Sequence, residues 1–487
     1  MPIFFSLAPA LAVLGPLAAI PGILSARSQN IRETWTLGVS LLVPAIVAAM
    51  APGVLGGATY SLVFAEVLPG APIALRVDAL GMLFALVASF LWIVTSVYSI
   101  GYMRSLEEHA QARFYTFFAV SIFCAVGVAF SANLLTMYLF YELLSFSTYP
   151  LVAHHQDEAG RKAGRRYLGF IVGSSIGLVL PAMVVTHHLA GDLDFARAGT
   201  ALAGIPAGSQ AVLLGLFIFG FAKAAIMPVH AWLPSAMVAP TPVSSLLHAV
   251  AVVKVGAFCI LRVITGIFGT DSLLQFNLND FITGAAAVTV VIASLTAMSQ
   301  DELKRRLAFS TIGQLSYIIL GAGLLNAAGL TGSILHIAMH AFGKITLFFC
   351  AGAIYVATGL KRISHMQGIG RRMPVTMGAF FLGSLSIIGI PPTGGFISKW
   401  YLLNGCIDSG SRLLVGTLFL SSLLNAAYFL PIVYRAWFPS PEARQYSGPI
   451  AEAPLACLVP LVLTAAISVG LFFFPGVFID LARMAVK

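Results

Sequence analysis

Phe221-Ala222-Lys223-Ala224-Ala225-Ile226-Met227-Pro228-Val229-His230-Ala231-Trp232-Leu233-Pro234 reads as a membrane span interrupted partway along. It closes an apolar run over 210–228, yet it carries a lysine, a histidine and two prolines. Proline lacks a backbone donor and clashes with the turn before it, so a helix does not pass through such a stretch unbroken. Unpaired backbone at membrane depth survives only where protein or water satisfies it. A lysine at that depth costs about 2.5 to 3.5 kcal/mol unless it is paired or hydrated. The stretch therefore belongs inside a bundle of membrane helices. Downstream, Ile390-Pro391-Pro392-Thr393-Gly394-Gly395-Phe396-Ile397-Ser398-Lys399 repeats the combination of breaker and lysine, its first proline 163 residues after Pro228. Ordinary proline kinks are the plain alternative. The recurrence of a lysine beside each break favours function.

The composition agrees with a membrane bundle. Of 487 residues, 59% are apolar and only 9% charged, against about 25% charged in soluble domains. Too little polar surface remains to coat a soluble protein of this size. A span needs about 20 apolar residues, and polar or Pro/Gly-rich breaks divide the chain into about fourteen such runs. The resulting expectation is an all-α polytopic membrane protein. Its expected units are 1–110, 111–270, 271–440 and 441–487, meaning three N-terminal spans, two five-span units and a last span. The interrupted spans are then the seventh and twelfth, each the fourth span of its unit. Spans 4–8 and 9–13 would form two repeats, inverted because each has an odd number of crossings. Residues 53–69, apolar but rich in Gly and Pro, are expected to form part of a long loop.

The net charge of +9 could signal nucleic acid in a soluble protein, but here it has a simpler cause. Connections after odd-numbered spans hold 17 of the 27 Lys and Arg residues, among them Arg444, and the opposite side, with Lys487, holds six. Cytoplasmic loops collect basic residues, which places odd connections inside and both termini outside a cytoplasmic membrane. The first apolar run has no basic residue before Arg27 and is expected to span rather than to be a cleaved leader. The five cysteines are scattered without a C-x-x-C pair, so neither a disulfide framework, a zinc site nor a cluster is expected. No cofactor, metal or redox chemistry of the chain's own is expected.

Four lysines remain, and Lys223, Lys254, Lys344 and Lys399 all fall inside expected spans. Glu142 is the acid placed well within one, and His230, His248, His336 and His340 join them. His336, His340 and Lys344 recur every four residues and so share one helix face. His248 and Lys254, six apart, diverge by roughly 120° around the axis and could be linked through water more easily than by contact. Isolated snorkelling side chains or inert inter-helix pairs are the plain reading of any one of these. Together they read as an ion or proton route. Burial disfavours a charged lysine while a nearby acid restores it, so an acid that moves or changes charge can release a proton.

The block Lys223 to Pro234, followed by Ala239-Pro240-Thr241-Pro242-Val243-Ser244, His248-Ala249, Lys254-Val255-Gly256 and Asp301-Glu302-Leu303-Lys304-Arg305-Arg306-Leu307, resembles the signature of antiporter-like proton-translocating subunits. These occur in respiratory complex I, membrane-bound hydrogenases and Mrp-type Na+/H+ antiporters. The resemblance extends from about residue 78 to 440 and implies fourteen helices, two inverted five-helix repeats and external termini. It makes Glu142 and Lys223 the family's Glu–Lys pair and Lys254, near His248, the connecting lysine. Lys344 with His336 and His340 becomes a relay, and Lys399 the terminal exit position. It also implies partners, namely other membrane subunits and the lipid bilayer, with protons as cargo. Na+ or K+ in a path shared with a partner, a bicarbonate-uptake complex and a non-pumping scaffold stay open at this point.

Overall fold

A computed structural model of the chain describes residues 3–197, 202, 204–439 and 449–486. Arg444 and Lys487, counted in the charge asymmetry, lie outside the described residues. In chain order the elements are β1 (Ile3–Phe5), α1 (Ala8–Ser25), α2 (Gln29–Leu55), β2 (Thr59–Leu68), β3 (Ala71–Val77), α3 (Ala79–Ser105), α4 (Gln111–Ala129), α5 (Leu134–Val152) and α6 (Glu158–Ala190). They continue as α7 (Ala207–Gly220), α8 (Thr241–Phe268), α9 (Asn279–Met298), α10 (Leu303–Gly323), α11 (Ala327–Thr358), α12 (Pro374–Ile388), α13 (Gly394–Asp408), α14 (Arg412–Trp437), α15 (Leu455–Phe473) and α16 (Gly476–Val486). Among the described residues, ten helices are long and apolar enough to cross a membrane, and α7 and α12 are shorter apolar helices. The lengths of α5 and α10, 19 and 21 residues, suit a crossing, but both carry more polar side chains.

The bundle is organised around α11. Every residue from Gly329 to Ile354 is buried, as expected of a helix apolar all round. The polar exceptions on it, His336, His340 and Lys344, are therefore held away from lipid. Helix α8 is nearly as enclosed, and α10 packs beside both.

Both proline stretches interrupt a span. Helix α7 stops at Gly220, eight residues before the expected end at Pro228, and the chain turns tightly through Ala222–Ala224 before Ala225 adopts a left-handed φ of 54°. The Trp232 indole donates to the Ala222 carbonyl at 2.9 Å, which closes this turn. The second interruption begins at Gly389, whose φ of +88° ends α12 in a conformation that side chains resist. The chain resumes as α13 after the two prolines.

Three differences from expectation are local. Residues 59–77 are not loop: β2 pairs antiparallel with β3 around Pro69-Gly70, and β1 adds in parallel to β2. Thr59-Tyr60-Ser61-Leu62-Val63-Phe64 is rich in β-branched and aromatic residues, so the all-α expectation gains a small three-stranded sheet. The third is the last span, which ends at Phe473, with α16 a separate short helix after Pro475.

Residues of the connections after α3, α5, α9 and α11, including Glu108, His155, Glu302 and Lys361, line one cavity of about 730 Å³ together with Lys304 at the start of α10. Elsewhere, Arg76 pairs with Asp194 at 2.5 Å, and Arg262 with Asp78 at 2.5 Å, tying together the segments before α3, after α6 and at the end of α8.

Candidate functional site

The Lys223 side chain is fully buried. Its position depends on the close approach of α8: a Cβ on Gly256 would stand 2.1 Å from the Ala224 nitrogen. The ammonium donates to the Tyr141 carbonyl at 2.7 Å and to Ser145 Oγ at 2.6 Å, both on α5, and lies 3.2 Å from the centre of the Tyr141 ring. Ring face, carbonyl and hydroxyl replace the water that a buried cation loses. Glu142 lies beside this nest without forming a direct ion pair with Lys223. It is half-buried, and its shielded carboxylate oxygens have no hydrogen-bond partner among the described residues. The expected Glu–Lys pair is thus a through-space neighbour rather than a contact.

The second group forms between helices. The Lys254 ammonium, from α8, is hydrogen-bonded to Nδ1 of His340 on α11. A protonated lysine only donates, so His340 then carries its own proton on Nε2, an atom with no partner among the described residues. The His340 ring stacks on His336 at 5.6 Å with planes 6° apart. His336 is held at both nitrogens, by Ser398 Oγ at 2.9 Å and by Gln314 Oε1 at 3.1 Å. Gln314 Oε1 only accepts, so the neutral ring bears its proton on Nε2 and takes the Ser398 hydroxyl proton at Nδ1. Ser398 adjoins Lys399.

Lys344, at the same face of α11, turns elsewhere. Its ammonium donates to Ser310 Oγ on α10 at 2.8 Å. Ser310 Oγ is 2.9 Å from Tyr428 Oη, which donates to Asn425 Oδ1 at 2.5 Å, both on α14. Asn425 Nδ2 reaches the Ile387 carbonyl at 3.5 Å. That carbonyl also accepts from the Lys399 ammonium at 2.8 Å, as Ile388 does at 3.0 Å. Lys399 thereby caps the open carbonyls at the C-terminus of α12, where the helix dipole favours a cation. A polar string consequently runs from Lys344 to Lys399.

His248 stands apart. It sits in a wide π-type turn at Leu246–Val250, a kind of turn frequent at functional sites, fully buried against the Phe348 ring at 4.6 Å. Neither ring nitrogen has a hydrogen-bond partner among the described residues, and the direct contact of Lys254 is with His340. His230 is partly exposed beside Phe309 and lines a smaller cavity of about 390 Å³ with Arg166 and Arg305. Sequence reasoning missed Tyr141, Ser145, Ser310, Gln314, Ser398, Asn425 and Tyr428. Serine and tyrosine are common in membrane helices, and only helix rotation shows which of them meet the lysines.

Fold and site together define a polytopic membrane protein with a string of cationic and imidazole groups sealed inside its bundle. Residues 131–425 match the family model described as "NADH:quinone oxidoreductase/Mrp antiporter, TM", and residues 70–115 match that for "NADH-Ubiquinone oxidoreductase (complex I), chain 5 N-terminus". The chain belongs to this antiporter-like membrane family, whose members sit in the cell membrane. It is 34% identical over 422 residues to NADH-quinone oxidoreductase subunit N of Desulforudis audaxviator, covering 82% of each protein. It is also 34% identical to hydrogenase-4 component B of Escherichia coli, covering 71% of this chain but only 52% of that longer one. A subunit in the Mrp complex from Dietzia sp. DQ12-45-1b superposes with a TM-score of 0.88 at 21% identity, covering 99% of this chain and 96% of that one, which shows a shared fold.

Proposed function

We propose that the chain is a proton-translocating subunit of a larger membrane complex, driven by a redox partner or by an opposing ion gradient. The observation that carries this reading is the enclosure of Lys223, Lys254, His336, His340 and Lys344 in hydrogen-bonded segments between the two broken spans, with His248 buried near them, all at most 1% exposed. Protons enter from the cytoplasmic cavity, pass through the Glu142–Lys223 region and then Lys254, Lys344 and Lys399, and leave on the outer side. The segments are joined by water. Glu142 sets the charge state of Lys223 through space and makes no bonds in transfer. Lys399, the partly exposed end of the string, is the exit.

The fourteen-span reading, with two inverted five-span repeats and external termini, is part of this proposal. Its support is the position of each break in the fourth span of its unit and the gathering of odd-numbered connections around one cavity. The complexes named for the relatives are those to which this subunit is proposed to belong, with other membrane subunits as partners. The relatives reported lend no support to bicarbonate uptake or to a non-pumping scaffold. Lys223→Ala and Glu142→Ala, each in the assembled complex in sealed vesicles, test the reading. The expected result is normal assembly with proton flux reduced at least tenfold for Lys223→Ala and severalfold for Glu142→Ala. Wild-type flux in both would refute it.

A further inference from the structure

A second cluster lies away from the buried string, where the connections after α3 and α5 meet at the rim of the large cavity. Glu108, His109 and His154 each offer a ligand atom there, all within 4.8 Å of one another. His154 Nε2 and His155 Nδ1 each stand 3.6 Å from the same oxygen, Glu108 Oε2. That is too long for a hydrogen bond, which spans about 2.7 to 3.2 Å. It is close to the edge of a tetrahedron of ligands, about 3.3 Å for metal–ligand bonds of about 2.0 to 2.1 Å. The His109 and His154 rings are 4.9 Å apart and tilted by 39° rather than stacked.

The independent pointer to a ligand is His154. Its side chain is 0% exposed, and neither ring nitrogen has a hydrogen-bond partner among the described residues, although one faces Glu108. Buried imidazoles are ordinarily satisfied, and at 3.6 Å the contact of this ring with Glu108 is a loose ion pair, a separation that two ligands sharing one cation also adopt. A cation answers both ends at once. Imidazole nitrogens with one carboxylate oxygen form the donor set of zinc-class ions, while the hard cations Mg2+ and Ca2+ favour oxygen ligands. The five cysteines are buried elsewhere in the bundle and do not compete.

We propose that Glu108, His109 and His154, with His155 beside them, bind a divalent transition metal of the zinc class at the cavity rim. The ion clamps the connection after α3 to the connection after α5. His109, which is exposed, leaves the site open to solvent on one side, so the metal exchanges with the medium.

The test uses the assembled complex purified without a polyhistidine tag and titrated with Zn2+ against a chromophoric chelator. The wild type is expected to bind one more Zn2+ per copy of this chain than the His109→Ala and Glu108→Gln forms, or to bind that ion at least tenfold more tightly. X-ray absorption at the zinc edge should show imidazole and oxygen scatterers at about 2.0 Å, with the imidazole signal reduced in His109→Ala. His154→Ala should lose the site altogether. Because that ring is buried, the exposed His109 variant carries the test if His154→Ala fails to assemble. Equal zinc stoichiometry and affinity in wild type, His109→Ala and Glu108→Gln would overturn the proposal, as would a wild type that binds no zinc.

Discussion

Tyr428 is the residue on which the polar string between Lys344 and Lys399 turns. Its hydroxyl touches both Ser310, which takes the Lys344 ammonium, and Asn425, which leads toward the Lys399 carbonyls. Removing that oxygen leaves Ser310 and Asn425 each short of a partner, at about 1 to 3 kcal/mol for a buried group left unsatisfied. Tyr428→Phe is therefore expected to assemble with slightly reduced thermal stability and to lower proton flux severalfold in sealed vesicles. Flux at the wild-type level would remove Tyr428 from the route. At this scale the sequence was partly legible. A lysine alone in an apolar run stands out because of what it costs, so all four lysines could be named without a structure. Their partners could not. Lys254 meets His340 across 86 residues of chain, and no spacing rule within one helix reaches that far. His336, His340 and Lys344 do share a face, yet the Lys344 ammonium donates to Ser310 on α10, a partner that spacing along α11 cannot name.

At the scale of elements, the two interrupted spans do the positioning. Helix α7 ends early so that Lys223 sits on a turn instead of a helix, and Gly256 lets α8 lie against that turn. A methyl group there would fall 2.3 Å from the Lys223 carbonyl carbon and 2.1 Å from the Ala224 nitrogen. Gly256→Ala is expected to lower stability by about 1 to 3 kcal/mol, the ordinary cost of overpacking, read as a fall in the thermal midpoint. It should reduce flux as well, by displacing Lys223 from Tyr141 and Ser145. A variant with unchanged midpoint and flux would show that the contact carries no weight. The prolines announced both breaks in the sequence, but the point where α7 ends was misjudged, since helix termination at Gly220 depends on what α8 and Trp232 supply. The hairpin at 59–77 was missed because its apolar residues do not alternate cleanly, and a Gly- and Pro-rich context reads as loop.

For the whole molecule, the sidedness inferred from basic residues is testable directly. The native cysteines are all buried and should stay unreactive toward a membrane-impermeant thiol reagent. His365→Cys, in the connection after α11, is expected to label only from the cytoplasmic side. Asp271→Cys, between α8 and α9, should label only from the outer side. Labelling of both positions from one face would contradict the assigned topology. The lysines and histidines of the string lie in separate hydrogen-bonded segments from the turn after α7 to α13, and the account requires water between those segments. A high-resolution electron cryomicroscopy map of the assembled complex measures this directly. The account predicts ordered waters bridging the Lys223 nest, the Lys254–His340 pair and the Lys344–Ser310 segment, whereas dry side-chain packing across either gap would contradict it.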